Sequence, residues 1–225
     1  MISILLPSRG RPDNVRRLVK SVLNTADKPD DIEIIVRLDY DDPTLNDLMD
    51  SPPQNTTVFA GERVVLSEMW NECYELSKGD ILMHCGDDIV FRTDGWDTAI
   101  NQTFEEYPDK IVFVFGNDDS PHNGNFGTHG FIHRKWAEAV GYFVPPYFSS
   151  DFNDTWLNDV AKMIGRHRHI QILTEHMHPD FGKAELDQTH KDRIERHQRD
   201  NVAAIYANRG GEREKDAKKL RGVML

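Results

Sequence analysis

Apolar, strand-like runs alternate with amphipathic, helix-like runs over the first half of the chain, and this alternation limits the fold more than any other feature. The run ISILLP (2–7) is continuously apolar and ends at a proline, as expected of a strand buried on both faces. The next segment, RPDNVRRLVKSVLNTA, repeats its apolar residues at helical spacing, and Pro12 or Asp13 can begin a helix. The order predicts an α/β fold with a mainly parallel central sheet flanked by helices.

The same alternation continues to the middle of the chain. Within a helix predicted over 66–79, Ser67 fits the N-cap position and Gly79 fits the stop. The other patterns are strands over 32–42, 56–61, 80–85 and 111–116 and a helix over 95–107.

The second half of the chain is less regular. It predicts a strand and a short helix over 127–141, a helix over 154–166, and a strand over 169–179 that ends in histidines. A charged segment begins at residue 183, with helix predicted over 187–207. The last residues, 209–225, are expected to be partly disordered.

Charge and cysteine content narrow the class of protein. The net charge of the 225 residues is −11, and residues 183–225 hold 11 Lys/Arg and 8 Asp/Glu, so this segment is +3 and the remainder is −14. An acidic body argues against broad non-specific nucleic-acid binding and is compatible with a divalent cation. Cys73 and Cys85 form no disulfide framework or zinc motif, and no apolar run is long enough to span a bilayer. We therefore expect a cytoplasmic protein without a membrane segment.

The sequence becomes polar where predicted strands end. The segments PSRGRP, LDYDDP, GDD and GNDDSPHNGN follow four of the strands. In open α/β sheets, ligands bind at the carboxyl ends of the strands. These polar segments therefore predict one shared site, and this organisation is a stronger signal than any single motif.

The GDD segment is the first candidate for metal chemistry. Mg²⁺ and Mn²⁺ prefer oxygen ligands, and a carboxylate at a strand end is held rigidly towards the crevice. Asp87 and Asp88 point in different directions, so one of them can bind metal while the other contacts a sugar or orients a neighbour. Taken alone, the pair is equally compatible with a solvated turn.

Two other strand ends offer contacts for a nucleotide. Ser8, Arg9 and Arg11 adjoin a helix N-terminus, where an anion such as a diphosphate can bind. The segment lacks the glycine-rich dinucleotide and P-loop motifs, and its arginines can also be solvated loop residues. Asp39 and Asp41 can accept hydrogen bonds from a base or a ribose, although turn chemistry accounts for some of these acids.

The second half offers a possible base and possible metal ligands. Asp151 and Asp154 stand at a predicted helix start, where Asp154 is equally a capping residue or a candidate general base. His176 and His178 alternate on one strand and so face the same side. A neutral imidazole is a common ligand for borderline metals.

In their order along the chain, the segments PSRGRP, LDYDD, LSEMWNECYELSKGDILM and GDD resemble those of a GT-A glycosyltransferase of the family 2-like group. The resemblance implies a Rossmann-like GT-A domain over residues 1–182, with nucleotide-sugar binding over about 1–116 and the acceptor side over about 117–182. Residues 183–225 would be a helical, charged extension.

The resemblance also implies roles for individual residues. Asp88 would be the metal ligand, Asp87 would contact the donor sugar, and Gly86 stands where the family's DxD motif has its first aspartate. Asp154 would be the base, with Asp151 as the second choice, and a late histidine, His176 in preference to His178, would complete the metal site. The donor-binding positions would fall on Pro7, Ser8, Arg9, Arg11, Asp39 and Asp41.

The implied reaction is a metal-dependent, inverting transfer of a sugar from a nucleoside diphosphate, with a UDP-sugar as the expected donor and Mn²⁺ or Mg²⁺ as the cofactor. A sugar nucleotidyltransferase and a non-catalytic nucleotide-sugar binding module are the alternatives. The acceptor is unknown. A glycan is one option, and a modified DNA base is another, because similar small enzymes occur in phages and the segment RHRH (166–169) and the C-terminal extension are basic.

Overall fold

The computed structural model describes residues 1–122 and 124–225. Its strands are β1 (Ile2–Pro7), β2 (Ile32–Asp39), β3 (Thr56–Gly61), β4 (Ile81–His84), β5 (Ile89–Phe91), β6 (Phe113–Asn117), β7 (Gly130–His133) and β8 (His167–His176). Its α-helices are α1 (Pro12–Thr25), α2 (Leu45–Met49), α3 (Leu66–Leu76), α4 (Trp96–Glu105), α5 (Arg134–Val140), α6 (Asn153–Met163), α7 (Gln188–Arg199), α8 (Val202–Ala207) and α9 (Gly210–Arg221).

The strands form one sheet in the order β3-β2-β1-β4-β7-β6-β8-β5. The β1–β2, β2–β3, β1–β4 and β6–β8 pairs are parallel, which confirms the predicted α/β architecture. The β4–β7, β6–β7 and β5–β8 pairs are antiparallel, so the second half of the sheet is mixed. Two consecutive strands can be parallel only if a long crossover connection, usually a helix, joins them. The described part of the segment between β6 and β7 contains no helix, in agreement with their antiparallel pairing.

Both faces of the sheet are buried, as the continuously apolar strands predict. In β1, Ile4 and Leu6 belong to one core and Leu5 belongs to the other, because successive side chains of a strand point to opposite faces. Helices α1 and α4 cover the first face, and α3, α5 and α6 cover the second. The carboxyl ends of β1, β2 and β4 are thereby fixed beside one another.

The predicted signals for helix α3 are wrong in detail. The helix begins at Leu66, so Ser67 lies inside it, where its hydroxyl donates to the carbonyl of Phe148 at 2.9 Å. The helix ends at Leu76, before Gly79. A Cβ on Gly79 would lie 2.4 Å from Ser3 Oγ, so this glycine permits close packing against β1 and does not stop the helix.

The C-terminal segment is ordered, contrary to the prediction of partial disorder over 209–225. Helix α9 packs on the second core through Ala217 and Leu220, which are both fully buried. Asp216 accepts hydrogen bonds from Tyr142 Oη and, at 3.1 Å, from Trp156 Nε1. Two buried apolar residues in a charged segment were too weak a pattern to indicate this docking from the sequence.

Leu220→Ala should lower the free energy of unfolding by about 2–5 kcal/mol, because it leaves a cavity under α9. Leu220 is 0% exposed, whereas Val223, three residues later, is 49% exposed. Val223→Ala should therefore change stability by less than about 0.5 kcal/mol. Urea unfolding of the two variants measures the difference, and equal stabilities would show that α9 is not docked.

Candidate functional site

A cavity of about 990 Å³ opens at the carboxyl ends of β1, β2 and β4. Except for Asp41 and Asp154, all the site residues predicted from the sequence border it. Pro7 ends β1 and Ser8 follows it, so the strand itself positions the first of these groups. The sheet therefore brings together, in a single cavity, predicted site residues as far apart in the chain as Pro7 and His178.

Asp88, His176 and His178 form a cluster in which one ligand atom from each residue lies within 4.8 Å of the others. The antiparallel pairing of β5 with β8 creates the cluster, because it places Ile89 opposite His176. The backbone N–H of Met177 donates to the carbonyl of Asp88 at 2.7 Å and extends this pairing into the site.

The cluster has the donor set of a divalent cation site. Burial opposes ionisation of Asp88, but the hydrogen bond and charge of His176 outweigh it and hold the pKa of Asp88 below its ordinary value. Asp88 Oδ2 lies 3.2 Å from His176 Nε2. Burial lowers the pKa of His178, which favours the neutral imidazole that a metal requires. One carboxylate and two imidazoles make a mixed oxygen and nitrogen donor set, whereas Mg²⁺ prefers oxygen ligands alone.

Gly86 leaves room for the carboxylate of Asp88. A Cβ on Gly86 would lie 2.9 Å from Asp88 Oδ1 and 3.6 Å from His129 Cε1. A side chain at this position would therefore compete with Asp88 for the same space. Gly86, which replaces the first aspartate of the DxD pattern, thus leaves the space that the carboxylate of Asp88 occupies.

If the cluster binds Mn²⁺, Gly86→Ala should weaken that binding by about 10–100-fold, because the new methyl group would displace the carboxylate of Asp88. Folding should be little affected, since the carboxylate can rotate away from the new methyl group. Calorimetric titration with Mn²⁺ measures the affinity. Gly211→Ala, where a Cβ would meet nothing within 4 Å, is the matched control and should bind the ion as the parent does.

Asp87 faces Ser8 and Arg11 rather than the cluster. Its carboxylate accepts from Ser8 Oγ at 2.6 Å and from Arg11 Nη1 at 2.9 Å. Burial raises the pKa of Asp87 to about 6, against the opposing charge of Arg11. The two adjacent aspartates therefore have different surroundings, as their predicted division of roles requires.

Asp39 is held in place by a buried arginine. Arg37 is fully buried in β2, and its Nη1 donates to Asp39 Oδ1 at 2.8 Å. Arg9 Nη1 donates to Asp39 Oδ2 at 3.1 Å and to Asp41 Oδ1 at 2.6 Å. A Cβ on Gly61 would lie 2.7 Å from Arg37 Nη2, so a glycine there admits the guanidinium. Arg37 was missed from the sequence, although a charged residue between the apolar residues Val36 and Leu38 of a buried strand was a signal.

Arg11 ties the site to the C-terminal extension. Its Nε and Nη2 donate to the two carboxylate oxygens of Asp187 at 2.6 and 2.7 Å. Asp187 is also the N-cap of α7, where it accepts from the backbone N–H of His190 at 2.9 Å. The side chain of Arg11 is only 10% exposed, so it is not a solvated loop residue.

The structure separates the two candidate bases. Asp151 borders the cavity, where it accepts from Arg193 Nη1 at 2.6 Å and lies 2.6 Å from His197 Nδ1. Burial opposes ionisation, but these partners outweigh it and lower the pKa of Asp151. Asp154 lies in the first turn of α6, outside the lining, and its Oδ1 accepts from the backbone N–H of Thr155 at 2.7 Å. Burial raises the pKa of Asp154 to about 6.

The cluster is surrounded by other histidines, which the sequence did not single out. The ring of His129 lies 4.9 Å from that of His176, and the ring of His190 lies 5.1 Å from that of His178. His129 is buried, and burial lowers its pKa well below the ordinary value. These residues are far apart in the chain, so no ligand spacing could have revealed them.

The basic segment RHRH lies away from the cavity, in and just before β8. Arg166 pairs with Asp109 at 3.0 Å and Arg168 pairs with Glu106 at 3.3 Å. His167 Nε2 lies 2.7 Å from Asn158 Oδ1. These groups have partners within the chain and do not border the cavity, so RHRH is not part of the candidate site.

Residues 3–178 match the family model for Glycosyl transferase family 2, and the chain belongs to this family. No match was found among curated proteins. Within the described residues, no helix combines the length and the apolar character that crossing a bilayer requires.

Solved structures share the fold at low sequence identity. S. aureus TarS 1-349 is 13% identical, with 87% of this chain and 71% of that chain covered and a TM-score of 0.59. The mannosyltransferase PcManGT from Pyrobaculum calidifontis, in complex with GDP-Man and Mn²⁺, is also 13% identical, with 77% and 56% covered and a TM-score of 0.59. TarS 1-349 in complex with UDP-GlcNAc is 12% identical, with 82% and 61% covered and a TM-score of 0.59. The chain thus has the GT-A fold, and spans little more than half of the mannosyltransferase chain.

Proposed function

We propose that the protein transfers a sugar from a nucleoside-diphosphate sugar to an acceptor hydroxyl with inversion at the anomeric carbon. The observation that carries the proposal is the placement of the Asp88–His176–His178 cluster in the same cavity as Asp151. A site for the leaving diphosphate and a carboxylate for the incoming hydroxyl thereby face one space. Membership of Glycosyl transferase family 2 supports the same reaction class.

The donor nucleoside would lie beside Arg9 and Asp39. Asp39 can accept from a base N–H or a ribose hydroxyl, and Arg37 and Arg9 hold its carboxylate in position. The TarS and mannosyltransferase structures contain UDP-GlcNAc and GDP-Man, respectively, which supports a nucleotide sugar as the donor class. A UDP-sugar remains our first choice.

A divalent cation held by Asp88, His176 and His178 would neutralise the charge of the leaving diphosphate. The donor set favours Mn²⁺. Asp87, fixed by Ser8 and Arg11, would orient the donor sugar by accepting a hydrogen bond from one of its hydroxyls.

Asp151 would accept the acceptor's proton. The acceptor oxygen forms a bond to the anomeric carbon as the bond from that carbon to the diphosphate oxygen breaks, and the proton passes to the carboxylate. We prefer Asp151 to Asp154 because Asp151 borders the cavity and Asp154 does not. For this step, one carboxylate oxygen of Asp151 must release Arg193 or His197 of α7 and accept from the acceptor hydroxyl instead.

A donor panel tests the proposed function. UDP- and GDP-sugars are incubated with the protein with Mn²⁺, with Mg²⁺ and with EDTA, and the release of nucleoside diphosphate is measured. We expect slow, Mn²⁺-dependent hydrolysis of one donor even without an acceptor. Release of pyrophosphate from a nucleoside triphosphate and a sugar phosphate would instead identify a nucleotidyltransferase. Donor binding without any turnover would indicate a binding module.

A further inference from the structure

Helix α7 carries arginines into the cavity from the side of the C-terminal extension. Arg193, Arg196 and Arg199 border the cavity, together with Arg63 from the loop after β3. We call these four residues the arginine wall. They are concentrated at one place in a chain whose net charge is −11, and the charge pattern of the sequence did not single them out.

Two members of the arginine wall already have close partners. Arg193 Nη1 donates to Asp151 at 2.6 Å, and Arg199 donates to both oxygens of Asp200 at 2.7 and 2.8 Å. These contacts satisfy part of their hydrogen-bonding capacity. Their positive charges nevertheless remain at the edge of the cavity.

The other two members, Arg63 and Arg196, have no close hydrogen-bond partner for their side chains among the described residues. The carboxylates nearest to Arg63, those of Asp41 and Asp192, lie at 3.7 and 3.9 Å. Among the described residues, the side chain of Arg196 makes no hydrogen bond or ion pair, and its Nε is buried without a partner. Burial and the charge of Arg63 lower the pKa of Arg196.

A half-buried guanidinium costs free energy unless an anion pairs with it. The carboxylates of Asp192 and Asp39 act on Arg196 through their charge, but neither forms an ion pair with it. Arginine presents a planar set of N–H donors that matches the oxygens of phosphate. Arg196 follows His190 by six residues, about 9 Å along the helix axis, and His190 adjoins the Asp88 cluster. The arginine wall is therefore separate from the Asp88–His176–His178 cluster, and Asp192 and Glu195 of the same helix also border the cavity.

We propose that the arginine wall, with Arg196 at its centre, is a phosphate-binding subsite that the C-terminal extension contributes to the site. This inference rests on the proposed function for its biological meaning. The phosphate can come from the donor's diphosphate or from a phosphate group of the acceptor. The two sources present the same chemistry to the guanidinium groups, and binding experiments separate them.

The test compares Arg196→Gln with Lys191→Gln, which removes one positive charge from an exposed position on the same helix. Equal melting temperatures establish that both variants fold. Binding of inorganic phosphate is measured in EDTA, so that no cation contributes. We expect Arg196→Gln to weaken phosphate binding at least tenfold and Lys191→Gln to leave it within twofold of the parent. Unchanged binding in Arg196→Gln, or no phosphate binding by the parent, would overturn the proposal.

Nucleotide binding then assigns the source of the phosphate. The gain in affinity from uridine to UDP, and from guanosine to GDP, is compared between the parent and Arg196→Gln, again in EDTA. Loss of this gain in the variant assigns the subsite to the donor's diphosphate. A retained gain, together with lost binding of inorganic phosphate, assigns it to the acceptor. Neither result depends on turnover, so the subsite and the proposed function can fail separately.

Discussion

Asp88→Ala is expected to reduce Mn²⁺-dependent release of nucleoside diphosphate by about 10³-fold, because charge on the leaving diphosphate would lose its compensation. Asp88 supplies the only carboxylate of the cation cluster formed by the described residues. Two imidazoles would remain, and neither carries the negative charge that binds a hard cation strongly. Calorimetric titration with Mn²⁺ should show a parallel loss of affinity.

Asp94→Asn is the control for a simple change in net charge, since Asp94 is exposed and lies outside the cavity lining. It should leave both Mn²⁺ affinity and turnover unchanged. Normal Mn²⁺-dependent turnover in Asp88→Ala would remove Asp88 from the metal site. Loss of turnover with intact Mn²⁺ binding would place the cation elsewhere and leave Asp88 a different role.

The architecture could be predicted because it depends on local patterns. The apolar run 2–7 and the helical repeat after it each specify an element whatever the rest of the chain does. The order of these elements then limits the topology, and the polar strand ends meet at one edge of the sheet. The sequence therefore predicts one cavity shared by Ser8, Asp39 and Asp88, and all three border the cavity in the structure.

The parts that sequence reasoning missed depend on contacts between distant segments. The pairing of β5 with β8 brings His176 to Asp88. The family resemblance, and not the residue spacing, indicated that a late histidine would join Asp88. The sequence of α7 predicts a solvated helix of mixed charge, yet the ion pair between Asp187 and Arg11 holds the helix at the site. A local pattern cannot show which partner a charged residue will find, so the arginine wall became visible only in the structure.

The choice between the two candidate bases shows the same limit. Asp151 and Asp154 are three residues apart at one helix start, and the resemblance favoured Asp154. Phe152, between them, adopts a left-handed conformation with φ 76°, and the chain turns before α6 begins. One carboxylate consequently borders the cavity, and the other packs at the base of the helix.

Asp151→Asn should lower the rate of transfer by about 10²–10⁴-fold, the usual contribution of a general base, while the affinity for the donor and for Mn²⁺ stays near that of the parent. Transfer is measured with the acceptor that an initial screen identifies, or as donor hydrolysis if none is found. The amide keeps the shape of the carboxylate but cannot take a proton. A parent-like affinity for UDP would show that α7 remains in place despite the weaker contacts to Arg193 and His197.

Asp154→Asn is the matched comparison, because it makes the same chemical change three residues away and outside the cavity lining. We expect it to keep at least half of the transfer rate. Burial raises the pKa of Asp154 to about 6, so its ionised form is disfavoured relative to an exposed aspartate, and the neutral amide should be tolerated. If Asp154→Asn abolishes transfer while Asp151→Asn does not, the base is Asp154, and Asp151 serves to hold α7 through Arg193 and His197.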